Sequence, residues 1–136
     1  YHQLLVCQSI FSIVHVLENR DIISKTRACK TASFILDGPL RLIIQMLNLK
    51  VIPIIATFLE SDDIPLITIS LKFYCKLAFL FGKRNIKYPV KSDMEECCLI
   101  DLLDEIITVD DEEKRYEFVS PKAESIKALI LENIFS

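Results

Sequence analysis

A chain of 136 residues with 51% hydrophobic and 26% charged side chains is long enough to bury one sizeable core and too apolar to remain unfolded. Its net charge of −3 offers no basic face of the kind nucleic acid requires. Two glycines, five prolines and abundant Leu and Ile exclude collagen-like and low-complexity chains and leave no glycine-rich loop to cradle a phosphate.

In chain order, the apolar pattern predicts a short helix from Ile10 to Leu17, closed by the polar turn Glu18-Asn19-Arg20-Asp21. A longer helix runs from about Ser24 to Leu36 and stops at Asp37-Gly38-Pro39, a strong terminator. A linking helix follows, Leu40 to Leu49, with Leu40, Ile43, Ile44 and Leu47 on one face. The second unit has the same plan: a short helix Val51 to Leu59, a turn Glu60-Ser61-Asp62-Asp63, and a long helix Ile64 to Phe81. That long helix carries two apolar stripes, one through Leu66, Ile69 and Phe73 and one through Ile67, Leu71 and Tyr74, so it must be covered on both sides. Lys72, Lys76 and Lys83 occupy the face that is left.

Gly82 to Ser92 reads as a basic connector that Pro89 prevents from being helical throughout. A third unit is expected as one helix from Asp93 to Ile107, then an acidic loop, Asp110-Asp111-Glu112-Glu113, inside a long turn. The last helix opens with Ser120 as N-cap and Pro121 at the first helical position, and buries Ile126, Leu129, Ile130 and Ile134.

The units repeat in sequence as well as in plan. Ile13-Val14-His15-Val16-Leu17-Glu18, followed by Asp21-Ile22, returns 42 positions later as Ile55-Ala56-Thr57-Phe58-Leu59-Glu60, followed by Asp63-Ile64. A weaker copy, Leu102-Leu103-Asp104-Glu105-Ile106 with Asp110, lies 47 positions further on. A period of roughly 40–47 residues in helical sequence predicts an all-α solenoid of the armadillo or HEAT type with about three repeats. The whole chain, 1–136, is expected to be one such domain, with repeats near 1–38, 39–82 and 83–136. Because it begins at Tyr1, it is read as a fragment or a processed product. The apolar stretches 64–81 and 42–59 are read as buried helices rather than membrane spans, since Lys72 and Lys76 interrupt the first and Lys50 and Pro53 the second.

Nothing in the chain assembles a catalytic, cofactor-binding or metal site. His2 and His15 are far apart and lack carboxylates at ligand spacing, and His15 aligns with Thr57 in the next repeat, so it is expected on a helix edge. Ser9, Ser12 and Ser33 have no nucleophile-elbow context. The cysteines Cys7, Cys29, Cys75, Cys97 and Cys98 form no C-x-x-C pair and are read as free thiols; adjacent Cys97 and Cys98 would point apart on a helix. Glu95, Glu96, Asp101, Asp104 and Glu105 form an acidic cluster expected to be a solvated face or a partner surface. Lys83, Arg84 and Lys87 are too spread out to make a targeting signal.

The third unit resembles a known family. Met94-Glu95-Glu96-Cys97-Cys98-Leu99-Ile100-Asp101 is similar to the "IEECGGLD" segment that opens the last armadillo repeat of importin alpha, and the ending Ile126 to Ser136 resembles that family's closing helix. Val51 to Leu59 is similar to the family's "GIIEPLMNLL" helix, and Thr26 to Gly38 to the long helix of the repeat before it. Two family glycines are replaced: the Gly-Gly pair by Cys98-Leu99, and the glycine before "IIEPL" by Lys50. The family grips basic nuclear-localisation peptides with a W-x-x-x-N ladder, and the matching positions here are Lys30 and Phe34 in the first unit (Cys29 and Ser33 if the alignment shifts by one residue) and Lys72 and Lys76 in the second. Without tryptophan to sandwich Lys and Arg stems, and with lysines on that face, the groove is expected to repel a basic peptide.

The resemblance therefore implies an armadillo-type α-solenoid that is the C-terminal fragment of a longer one, and a non-enzymatic nuclear import adaptor of cytoplasm and nucleus, contacting the importin-alpha export receptor or a nuclear-basket nucleoporin rather than the localisation signal. Glu95, Glu96, Asp101 and Glu105 would carry that contact, with importin beta and cargo engaged through upstream sequence, and without nucleic acid or membrane. The alternatives are a generic armadillo or HEAT scaffold with no transport role, and a helical enzyme, for which the chain names no nucleophile, base or metal set.

Overall fold

The computed structural model describes residues 10, 12–18, 21–84, 86, 88–108 and 116–135. Among these residues all regular structure is helical, as the periodicity predicts. The chain is helical at 10 and 12–18 (α1), then forms α2 Ile22–Ile35, α3 Leu40–Asn48 and α4 Val51–Ala56. A 3₁₀ turn, Thr57–Glu60, extends α4, and α5 Ile64–Lys83, α6 Val90–Glu96, α7 Leu99–Thr108 and α8 Ser120–Asn133 complete the order.

Local chemistry explains the boundaries. The Asp21 carboxylate accepts from the Ser24 N–H at 2.8 Å, and Asp63 accepts from the Leu66 N–H at 3.0 Å, so both copies of the repeated motif cap the helix that follows them. Pro65 sits in the first turn of α5, where its missing N–H costs nothing. Between α3 and α4 the backbone turns through Lys50 at φ 64°, and between α6 and α7 through Cys98 at φ 55°. Each residue with a side chain in this left-handed region costs about 1–2 kcal/mol. At the first junction the bend between α3 and the α4–3₁₀ segment is 69°.

α5 is the centre of the packing, with α2 on one side and α8 on the other. α7 packs on α8 and on the 3₁₀ turn, while α6 packs on both α4 and α7. The positions aligned by the sequence repeat are all buried: Leu17 is 1% exposed, Leu59 5% and Ile106 4%. Val14, Ala56 and Leu103, three positions earlier, are also buried; Ile55 is buried, whereas Ile13 and Leu102 are only half-buried. Beneath α5 the Tyr74 hydroxyl donates to the Ile52 carbonyl at 2.5 Å, which satisfies a fully buried phenol. At 20 residues and a mean hydropathy of 1.6, α5 has the length and composition of a membrane crossing, but here Leu66, Ile67, Leu71, Phe73 and Leu77 are buried in the protein.

Three expectations need correction. The helix expected over Asp93–Ile107 is two helices, because Cys97 (φ −92°, ψ 3°) and Cys98 leave helical geometry between them. The short helix Val51–Leu59 tightens to 3₁₀ from Thr57 onward. Ser120 does not cap α8: it is already helical, and its hydroxyl donates to the Ile106 carbonyl at 2.9 Å, tying α8 to α7. The acidic loop 110–113 lies outside the described residues, as do Cys7 and His2.

Candidate functional site

The break at Cys97–Cys98 divides the acidic residues between two helices. Glu95 and Glu96 are exposed in the last turn of α6, where the helix dipole disfavours carboxylates, and Asp101 is exposed in the first turn of α7, where it is favoured. Glu95 and Asp101 meet in one shallow depression of about 190 Å3 that also contains Cys98 and Phe135. Glu105 is exposed one turn beyond Asp101 on α7, while Glu96 does not line the depression. Glu95 is 4.0 Å from Lys91, whose ammonium also lies 5.6 Å from the Phe135 ring centroid. Asp104 points elsewhere, onto Lys127 of α8 at 2.6 Å. Glu95 and Asp101 thus share an open corner between α6 and α7, with Glu105 one turn further along α7, rather than a stripe on one helix.

The peptide-groove positions are also separated. Lys76 is committed: its ammonium donates to Asp37 at 2.7 Å and to the Ser33 carbonyl at 3.4 Å, and sits 5.5 Å over the Phe34 ring. Phe34 remains 62% exposed beneath it. Lys30 is exposed on α2, and Lys72 is exposed on the α8 side of α5. A cation stacked on an aromatic ring and held by a carboxylate already fills the place where an incoming Lys or Arg would stack.

Two features escape a reading of periodicity. The first is Asp93, 2% exposed, which accepts from Lys50 at 3.1 Å and from the Tyr88 hydroxyl at 2.5 Å. The Lys50 ammonium also lies 5.9 Å from the Tyr88 ring centroid. The bond to Asp93, and then that to Tyr88, push the Lys50 pKa up, and burial followed by the Asp93 bond pushes Tyr88 up. The cluster ties the α3–α4 junction to α6, and a lysine standing at a glycine position was its only sequence signal.

The second is a groove of about 450 Å3 between α5 and α8. Thr68, Leu71, Lys72 and Cys75 supply its α5 wall at i, i+3, i+4, i+7 spacing. Pro121, Lys122, Ser125 and Ile126 supply the α8 wall. Leu71 and Ile126 form a buried apolar floor, and the Thr68 hydroxyl is occupied by the Ile64 carbonyl at 2.8 Å. The same i, i+3, i+4, i+7 spacing was visible in the sequence, but which helix would stand opposite it was not.

Among the described residues no three His, Cys, Asp or Glu side chains converge to hold a metal ion. His15 is exposed, on the helix edge where its alignment with Thr57 puts it. Cys29 is buried against Ser70, with the sulfur 4.0 Å from the hydroxyl oxygen, and burial pushes its thiol up to about 12. Burial likewise raises Cys97 to about 11, so neither thiol is an activated nucleophile at neutral pH. No family model, curated protein or solved structure matches this chain.

Proposed function

We propose that this chain is a non-enzymatic protein-binding adaptor built of armadillo-type repeats, corresponding to the last three repeats of an importin-alpha-like nuclear transport receptor. One observation carries the reading. The left-handed residues Lys50 and Cys98 stand where the resemblance puts glycine, the residue such a junction prefers. Each junction opens a short helix that is followed by a longer one, α4 then α5 and α7 then α8. The ordered packing of α2, α5 and α8 supports successive repeats.

On this reading the patch of Glu95, Asp101 and Glu105, with Glu96 beside it, meets basic segments of the export receptor or of a nuclear-basket nucleoporin. Importin beta and cargo would be engaged through upstream sequence, and the protein would work in both cytoplasm and nucleus. Lys30, Phe34, Lys72 and Lys76 would not hold a localisation signal, because Lys76 already occupies Phe34 and Asp37.

Titrating a classical basic localisation peptide and the export receptor against the chain tests both halves. The peptide should not bind, and the receptor should bind and be weakened by Glu95→Lys with Glu96→Lys at unchanged helicity, since exposed charges contribute little to stability. Micromolar or tighter peptide binding that survives moderate salt refutes the missing-ladder argument. The self-occupied Lys76–Phe34 site also favours a second reading, an armadillo scaffold with no transport role, and binding to neither partner would select it.

A further inference from the structure

We infer that the α5–α8 groove docks an acidic, leucine-rich segment of a partner protein. Its apolar floor, Leu71 and Ile126 with the half-buried Cys75 of the α5 wall, suits aliphatic side chains, and its volume of about 450 Å3 falls in the about 300–1,000 Å3 range of binding pockets. Charge decides the class of occupant. Lys72 and Lys122 stand one on each wall, and no carboxylate is among the described residues that line the groove. Lys50, Lys76 and Lys127 each hold a carboxylate within 3.1 Å, whereas Lys72 and Lys122 have no such partner among the described residues. Two unpaired cations flanking an apolar trough attract a segment whose glutamates or aspartates border its leucines, and repel the basic segments expected at the α6–α7 corner. The two surfaces would thus select partners of opposite charge. This inference rests on the protein-binding reading but not on the nuclear role.

Cys75 reports occupancy from inside the groove, and Cys98, at the α6–α7 corner, serves as internal control. The probe is a labelled amphipathic helical peptide with a leucine face bordered by glutamates, paired with a counterpart in which lysines replace the glutamates. At a peptide concentration about ten times its Kd, mass action predicts alkylation of Cys75 slowed about tenfold, with Cys98 unaffected. Lys72→Glu with Lys122→Glu should weaken the glutamate peptide at least about tenfold and admit the lysine peptide. Lys72→Gln with Lys122→Gln, which only removes charge, should give an intermediate loss and guards against misfolding of the reversed variant.

Equal binding of the two peptides, no protection of Cys75, or undiminished binding by both double variants overturns the inference. So does Cys75 protection that rises with protein concentration alone, which assigns the groove to a second copy, or protection by anionic vesicles and not by peptide. The export-receptor titration run alongside separates the two ideas: failure of the peptide with receptor binding intact removes the groove proposal only.

Discussion

α5 has two neighbours, and it meets them differently. Against α2 the seam is closed by small side chains, Ala28, Cys29, Ala32 and Ser33, all buried, with Ser70 of α5 opposite Cys29. Its edge is sealed where Lys76 reaches across to Asp37 and the Ser33 carbonyl. Against α8 the helices are pinned at one end, where the Asn133 amide donates to the Ala78 carbonyl at 3.1 Å, and open into the groove at the other, between Thr68 and Pro121. The same central helix therefore makes one tight seam and one seam with space left over. Small residues let backbones close up, whereas Leu71, Cys75 and Ile126 hold the walls apart without filling what lies between them.

The largest effect should come from the element that both sides depend on. Leu59 lies in the 3₁₀ turn that packs on α5 and on α7, so Leu59→Ala should cost about 2–5 kcal/mol in chemical denaturation. Hydrogen exchange should accelerate in both neighbours; acceleration confined to residues 51–60 would break the picture of mutually supporting layers. Next comes a matched pair of insertions. Ala32→Leu, on the α2 face that carries Cys29, should overpack the tight seam and cost about 1–3 kcal/mol. Ser125→Leu, on the groove wall, should fall within about 0.5 kcal/mol of wild type, as exposed changes do. Equal costs would mean that the two seams do not differ.

A smaller, graded effect is set by pH. The Cys29 thiol lies in the tight seam with its pKa raised by burial to about 12, from an ordinary value of 9.0. A raised folded-state pKa means that the folded protein holds its proton more tightly than the unfolded chain. The contribution is complete below about pH 9 and is lost as pH rises toward 12, at up to about 1.4 kcal/mol per pH unit. Cys97, raised in the same direction, adds to the decline. Thermal melts across this alkaline window should show the loss, and Cys29→Ala should flatten it; an unchanged slope in that variant would place the titration elsewhere. The smallest effect is expected at Ser33, whose buried hydroxyl has no hydrogen-bond partner among the described residues. Ser33→Ala removes an unsatisfied group and should be neutral or stabilising by up to about 1 kcal/mol. A clear destabilisation would show that the hydroxyl is satisfied after all.

Much of the helical framework was legible because it is written in local terms. Asp21 and Asp63 begin helices because a short carboxylate reaches the N–H three residues on, and the Asp37-Gly38-Pro39 stop ends α2 for equally local reasons. The break at Cys98 was not legible, since neither Cys nor Leu advertises left-handed backbone; only the likeness to a glycine pair marked the place. Of the acidic residues, exposure could be expected for Glu95, Glu96, Asp101 and Glu105, but their grouping depends on how α6 turns into α7. Lys72 and Lys76, read as sharing one face of α5, meet different neighbours for the same reason: Lys76 reaches Asp37 beyond α2, and Lys72 lines the groove with α8.

The sequence by itself determined that this chain is helical, where its long helices begin, and that one hydrophobic position recurs as Leu17, Leu59 and Ile106, because caps and periodicity act within a few residues. Only the tertiary structure decided that Lys76 is paired while Lys72 and Lys122 have no carboxylate partner among the described residues, and that the buried Asp93 would find Lys50, 43 residues away. It also decided that α5 and α8 would leave a groove. Those outcomes depend on which helix faces which and at what separation, and that is settled by the packing of side chains from distant segments, not by any local pattern.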